Sequence, residues 1–298
     1  MTDSQRVAAV VVTYNRKALL PSCLEGILAQ TKPVQRVFLI DNASTDGTKE
    51  LLRSAGYLGH PLIAYVRLPE NTGGAGGFHE GLRRASSEKF DWYWVLDDDV
   101  EPEPSTLEVQ LRYRNISECI HPLVVYEDGS AHEWEHIVDP YTTHQIGLEN
   151  WSFRNGKDWC AMHVACFEGM LISERMLEKV GLPDKDFFVS GDDGLFGFKA
   201  SLFTNVIYIK DGKLLKKIKP TAESSPFKIY YDLRNRFLLR RKLAELIWTP
   251  KYSRYAFLCF MLFATVDLLK HSFSSENARA AVLAWYDGLR GVVGRHRY

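Results

Sequence analysis

The sequence predicts an α/β fold with a mostly parallel central sheet, followed by a helical C-terminal region. Three observations lead there. Short β-branched apolar runs alternate with helix-spaced segments through the N-terminal third, a rhythm that requires crossover helices on both faces of a parallel sheet. Polar clusters recur directly after those runs, at the carboxyl ends of strands, where open α/β sheets bind ligands. From Phe227 onward the apolar spacing is helical.

Val7–Val12 is a continuous Val and Ala run, as expected of a strand covered on both faces. Leu19–Gln30 has helical spacing, and Val34–Ile40 reads as a second strand. Asp46–Ala55 predicts a helix, Leu62–Arg67 a third strand, Gly77–Ala85 a helix and Trp92–Leu96 a fourth strand. Residues 105–190 are mixed. The helical region carries Arg234, Arg236, Arg240, Arg241 and Lys242 on one side, then Tyr255–Leu269, whose only charge is Asp267. That segment is shorter than the ~20 residues a spanning helix needs. The expected division is an α/β domain over 1–222 and a basic, apolar helical region over 223–298.

The formal charge is zero, from 37 Lys+Arg and 37 Asp+Glu, but its distribution is uneven. Residues 1–206 hold 19 basic and 30 acidic side chains, whereas 207–298 hold 18 and 7. The zero sum argues against an obvious nucleic-acid binder, whereas an acidic body joined to a basic tail suggests a partner with charge. Five cysteines without a CxxC pair point to a reducing compartment. The apolar run near the N-terminus is too short for a signal peptide, so a cytoplasmic setting is expected.

The strongest local signal is Asp97-Asp98-Asp99 after the strand WYWVL. Carboxylates crowded at a buried strand end need a compensating cation. Asp97 and Asp99 can share one hard ion, Mn²⁺ or Mg²⁺, with positions left for a diphosphate; a solvated turn or helix cap is the alternative. Asp41 ends the second strand and could accept from a base or ribose, or simply open a capped helix. Four glycines lie within Gly73–Gly77. They let a backbone approach a ligand and turn the next helix toward phosphate or sugar. The run fits neither the dinucleotide fingerprint nor the P-loop. Adjacent carboxylates Asp192 and Asp193 after Gly191 tend to split their pKa values, leaving one as a useful base. His132-Glu133-Trp134-Glu135-His136 matches HExxH, but flanking turn residues leave little room for the helix a zinc protease needs.

Together VVVTYNR, DNASTDGT, PENTGGAGGF and DDDV resemble the family-2 inverting glycosyltransferases of the GT-A fold. They look most like bacterial galactofuranosyltransferases, with rhamnosyltransferases close behind. The likeness continues through FEGMLI, GLPD, Phe187–Asp193 and YYDLRNR. It implies that Thr13, Arg16 and Asp41 bind the nucleotide, and that Asn71, Gly73, Gly74, Gly76, Gly77 and Asp98 line the donor pocket. It implies Asp97 and Asp99 as metal ligands and Asp193, or else Asp192, as the general base. Trp134, Trp159 and Gly169 are the acceptor-side candidates; tryptophan faces suit sugar C–H surfaces. Many relatives carry a metal-binding His where this chain reads Lys213-Leu214-Leu215-Lys216-Lys217. Here Lys216 or Lys217 could neutralise the diphosphate directly.

The expected donor is a UDP-sugar such as UDP-galactofuranose, with rhamnosyl or other hexosyl transfer from a dTDP- or UDP-sugar as alternative. A non-catalytic protein binding glycan or nucleotide-sugar is the reading from another class. The acceptor is expected to be a lipid-linked or polysaccharide glycan. The basic, apolar tail suits peripheral attachment to the inner membrane face, or packing against the body or a second copy of the chain.

Overall fold

The computed structural model describes residues 5–132, 136–147, 153, 156–164, 166–219, 225–247, 253–270 and 274–297. Its strands are β1 (Val7–Thr13), β2 (Arg36–Asp41), β3 (Ile63–Arg67), β4 (Trp92–Asp97), β5 (Val100–Pro102) and β6 (Cys119–Tyr126). Then come β7 (His136–Val138), β8 (Gln145–Gly147), β9 (Trp159–Met162), β10 (Met170–Ser173) and β11 (Val206–Lys216). The helices are α1 (Leu20–Leu28), α2 (Thr48–Ser54), α3 (Gly73–Ser87), α4 (Thr106–Arg112) and α5 (Glu174–Val180). After them follow α6 (Asp192–Ser201), α7 (Pro226–Ile247), α8 (Ser253–Lys270) and α9 (Ser275–Arg290).

The main sheet has the order β3-β2-β1-β4-β10-β6-β11-β5, with β9 on β11. β1, β2, β3 and β4 run parallel, as their alternation with helices requires. All seven residues of β1 are buried because both faces are covered. Val7, Ala9 and Val11 pack with Leu20, Leu24 and Ile27 of α1. Ala8, Val10 and Val12 pack on the opposite side with Phe78 and Leu82 of α3.

The glycine run departs from expectation: it lies inside α3, which begins at Gly73 rather than Gly77. A Cβ on Gly77 would stand 2.5 Å from Val12 Cγ1, and one on Gly81 2.4 Å from Val10 Cγ1. These glycines let the helix lie close against β1. The entropic cost of glycine in a helix is offset by that contact.

Two antiparallel crossings shape the carboxyl end of β4. β10 runs against β4, so the residues before β10 land beside the end of β4. The end of β11 runs against β5, pairing Lys216 with Val100 just past the aspartate triplet.

In the C-terminal region α7 packs along α9 and against the segment before α6. Arg234, expected on a basic outer face, is instead fully buried. Its guanidinium donates to the Phe187 carbonyl at 2.8 Å and to that of Gly294 at 2.6 Å, which satisfies the buried charge. The unequal charge of body and tail is partly closed internally. Lys216, Lys217, Lys219 and Lys242 pair with Glu168, Glu101, Asp128 and Asp184. Among the described residues no helix is long and apolar enough to cross a membrane.

Candidate active site

Four carboxylates and two cations meet where β4 ends. β4 leads into Asp97-Asp98-Asp99, Glu168 precedes β10, and Lys216 closes β11. Lys216 Nζ lies 2.6 Å from Glu168 Oε1 and 3.5 Å from Asp99 Oδ1. Arg16, beyond β1, places NH1 3.2 Å from Asp99 Oδ2. Burial opposes the charge on Lys216, but Glu168, Asp99 and Asp97 outweigh it and raise its pKa, so the ammonium persists.

The cluster retains excess negative charge, and the acids register it. Burial, reinforced by Glu168 and Asp99, pushes Asp97 well above the usual carboxylate range. Burial pushes Asp98 up to about 6, and its Oδ2 has no hydrogen-bond partner among the described residues. Burial also raises Glu168, against the pull of Lys216. Hard oxygen donors with surplus charge fit a divalent cation held by Asp97 and Asp99, with diphosphate and water completing its shell. Among the described residues no three His, Cys, Asp or Glu side chains converge as a metal cage, so such an ion would depend on the substrate for ligands.

A cavity of about 640 Å³ opens beside this cluster, with Asp97 and Glu168 on one wall. Asp192 and Asp193, at the first turn of α6, form another. Burial raises both, and for Asp192 the charge of Asp193 adds to it. The Gly194 amide donates to Asp193 Oδ1 at 2.7 Å and holds the side chain in place. The far side comes from α7, through Lys228, Asp232, Asn235 and Arg236. Carboxylates suited to a cation therefore share one chamber with carboxylates suited to proton abstraction.

A profile of Glycosyl transferase family 2 matches residues 8–181, more than half of the chain. The chain belongs to glycosyl transferase family 2. Galactofuranosyltransferase GlfT1 of Mycolicibacterium smegmatis is 28% identical over 211 residues, covering 65% of this chain and 64% of the relative. The chain thus spans just under two thirds of that relative's length. GalNAc-T7, solved with UDP, GalNAc and Mn²⁺, superposes with a TM-score of 0.63 at 17% identity, covering 97% of this chain and 55% of that one. The mannosyltransferase PcManGT from Pyrobaculum calidifontis, in complex with GDP-Man and Mn²⁺, gives 0.60 at 18%, covering 97% and 76%. The expected GT-A fold is the fold of this family 2 chain.

Within that fold the expected site residues separate. Gly74, Asp97, Asp192 and Asp193 line the cavity, with Asp98, Asp99, Lys216 and Arg16 in the adjoining cluster. Thr13 and Asp41 are buried. Asp41 already accepts from the Tyr65 hydroxyl at 2.6 Å and the Ser44 amide at 2.7 Å. Asn71 accepts from the Gly73 amide at 2.8 Å, an Asx turn leading into α3.

Several of the expected site residues have a packing role or another partner in the structure. A Cβ on Gly73 would meet the Phe188 carbonyl oxygen at 1.9 Å, and one on Gly76 the Thr72 side chain at 2.5 Å. With Gly77 against Val12, most of the run serves protein packing, and Gly74 alone of the four has open space there. Lys217 turns away from the carboxylate cluster to Glu101, at 2.6 Å, because successive residues of an extended chain face opposite ways. Trp159 packs against the core from β9 and is absent from the cavity wall. Gly169, with φ +97°, is a packing glycine whose added Cβ would stand 2.2 Å from Leu214 Cδ1. Trp134 lies outside the described residues. His132 follows a β-bridge and His136 opens β7, so HExxH lacks its single helix.

Sequence reasoning missed Glu168 and the α7 wall as site residues. Lys228, Asp232 and Arg236 recur every four residues, one helical face. That periodicity was the available signal.

Proposed function

We propose that the chain transfers a sugar from a nucleoside-diphosphate donor to a hydroxyl of a glycan acceptor with inversion, Asp193 acting as general base. The observation carrying this reading is the shared cavity, with Asp97 and Glu168 on one wall and Asp192 and Asp193 on another. A half-buried carboxylate whose pKa burial raises is a stronger base toward a hydroxyl proton than an ordinary one. Asp192, more deeply buried beside it and raised by burial and by the charge of Asp193, is the alternative base.

On the donor side, Asp97 and Asp99 would hold Mn²⁺ or Mg²⁺, which when bound offsets charge on the departing diphosphate. Lys216 adds a fixed positive charge a few ångströms away, and Arg16 adds a second. UDP and Mn²⁺ in the solved GalNAc-T7 support this donor class. GlfT1 supports galactofuranose as the sugar, which makes UDP-galactofuranose the first donor to test. A screen of UDP-, dTDP- and GDP-sugars, with and without Mn²⁺, should show Mn²⁺-enhanced thermal stabilisation by one donor class. Transfer should then follow with that donor. Donor stabilisation without any transfer would favour a non-catalytic binding protein.

For the acceptor we propose a glycan presented at an anionic membrane surface. Leu258, Leu262 and Val266 of α8 are exposed, and Arg240 lies over the Phe257 ring on the same helix. An apolar helix face with a cation at its edge suits an interfacial position. Co-sedimentation with phosphatidylglycerol vesicles should be lost in Leu258→Glu/Leu262→Glu. A concentration-dependent dimer abolished by the same changes, with no vesicle binding, would replace the membrane reading by self-association.

A further inference from the structure

We propose that Asn235 and Arg234 of α7 position the general base by clamping the loop that delivers it. The proposal rests on the base assignment above, and adds two residues that touch no reacting atom.

The loop before α6 is conformationally costly. Phe188 has φ +67°, Ser190 +62° and Gly191 +98°, so two residues with side chains occupy the left-handed region beside a glycine. A sequence of this kind does not hold such a shape alone. Three carbonyls of the loop converge on Asn235, whose Nδ2 lies 3.0 Å from Phe187 O, 2.5 Å from Val189 O and 2.8 Å from Ser190 O. Its Oδ1 accepts from Arg234 Nε at 2.9 Å. Arg234 NH2 in turn donates to Phe187 O at 2.8 Å.

Both ends of the Asn235 amide are therefore committed to the protein, although the residue lines the cavity. It acts on substrate only through the loop. The opposite side of the loop is fixed by α3, where the Ala75 amide donates to Phe188 O at 3.1 Å and Gly73 leaves room for that carbonyl. The C-terminal tail closes the clamp. Arg234 NH1 donates to Gly294 O at 2.6 Å, and the Gly294 amide donates to Asp186 O at 2.6 Å. Asp192 and Asp193 follow two and three residues after the last clamped carbonyl, that of Ser190, so loosening the loop displaces the base. A shift of about 1 Å at a reacting group can cost on the order of 10²-fold in rate.

The test compares Asn235→Ala, Asn235→Asp and Asn235→Gln in the full chain, with rates corrected for folded fraction. Asn235→Ala should lower kcat by about 10- to 100-fold while donor KM stays within about three-fold, because Arg16, Asp97 and Asp99 are untouched. Asn235→Asp, isosteric but unable to donate, should fall as far. Asn235→Gln keeps the donor and should recover part of the rate. Amide exchange across residues 187–193 should accelerate in the Ala and Asp variants. Unchanged exchange there, or a rise in donor KM with kcat intact, would overturn the clamp. The base assignment fails separately, if Asp193→Asn and Asp192→Asn both transfer at the wild-type rate.

Discussion

The two sides of the cavity are built by different means. The proposed donor side stands on the sheet: Asp97, Glu168 and Lys216 sit at or beside strand ends whose neighbours are fully buried. The proposed base side stands on a loop of unfavourable φ angles, held by Asn235, Arg234 and a tail segment far along the chain. A sheet end is rigid because each strand is paired on both sides. A strained loop is rigid only while its clamps remain. The donor side should therefore tolerate loss of a single polar contact in shape, though not in charge. The base side should lose geometry first.

The largest effect expected is at the proposed base, Asp193. Asp193→Asn should reduce transfer by about 10²–10⁴-fold with donor binding retained, measured by single-turnover transfer alongside UDP binding calorimetry. Equal loss of donor affinity would place Asp193 on the wrong side of the comparison.

Next comes charge on the donor side. Lys216→Met removes the ammonium between Glu168 and Asp99, all with side chains about one-tenth exposed. Breaking a buried pair costs roughly 3–5 kcal/mol, so urea unfolding should show that loss. The parallel change Lys217→Met, on a partner pair that reaches solvent, should cost at most about 1 kcal/mol.

Acid should weaken the body through His121, which is buried in β6 with its pKa lowered to about 4, chiefly by burial. The unfolded histidine titrates near 6.5. Between those values the unfolded chain binds a proton that the folded chain refuses. Stability from this group is complete above about pH 6.5 and is lost as pH falls toward 4, by about 3 kcal/mol in all. Denaturation midpoints measured across that window should decline in the wild type and decline less in His121→Asn. His132, lowered to about 4 by burial and by Lys216, acts in the same direction.

The smallest effect separates packing from ligand contact in the glycine run. Gly73→Ala, with φ +74° and the Phe188 carbonyl in the way, should cost about 1–3 kcal/mol and slow transfer by loosening the base loop. Gly74→Ala has open space and should change stability by less than about 1 kcal/mol. If Gly74→Ala instead weakens donor binding severalfold, this glycine touches the ligand as the cavity wall suggests.

Local pattern was enough for the first four strands. Their apolar runs match the observed limits within about two residues, since a strand covered on both faces must be apolar throughout. The aspartate triplet stood out for a related reason: three acids directly after a buried strand are costly unless a cation or solvent offsets them. Pattern failed where side chains answered to distant partners. Gly73, Gly76, Gly77 and Gly169 read as ligand-facing glycines, yet each makes room for another part of the chain. Arg234 read as surface charge because its acceptors, the carbonyls of Phe187 and Gly294, lie 47 and 60 residues away.

By itself, then, the sequence determined the parallel sheet, the carboxylates at its edge and the paired acids opening a helix, because each depends on neighbours a few residues apart. Only the tertiary structure decided that Lys216 rather than Lys217 faces those carboxylates, that Glu168 joins them, and that α7 holds the base loop. Those outcomes depend on antiparallel crossings and on which carbonyls a folded chain leaves to be satisfied. Periodicity along the chain carries no record of either.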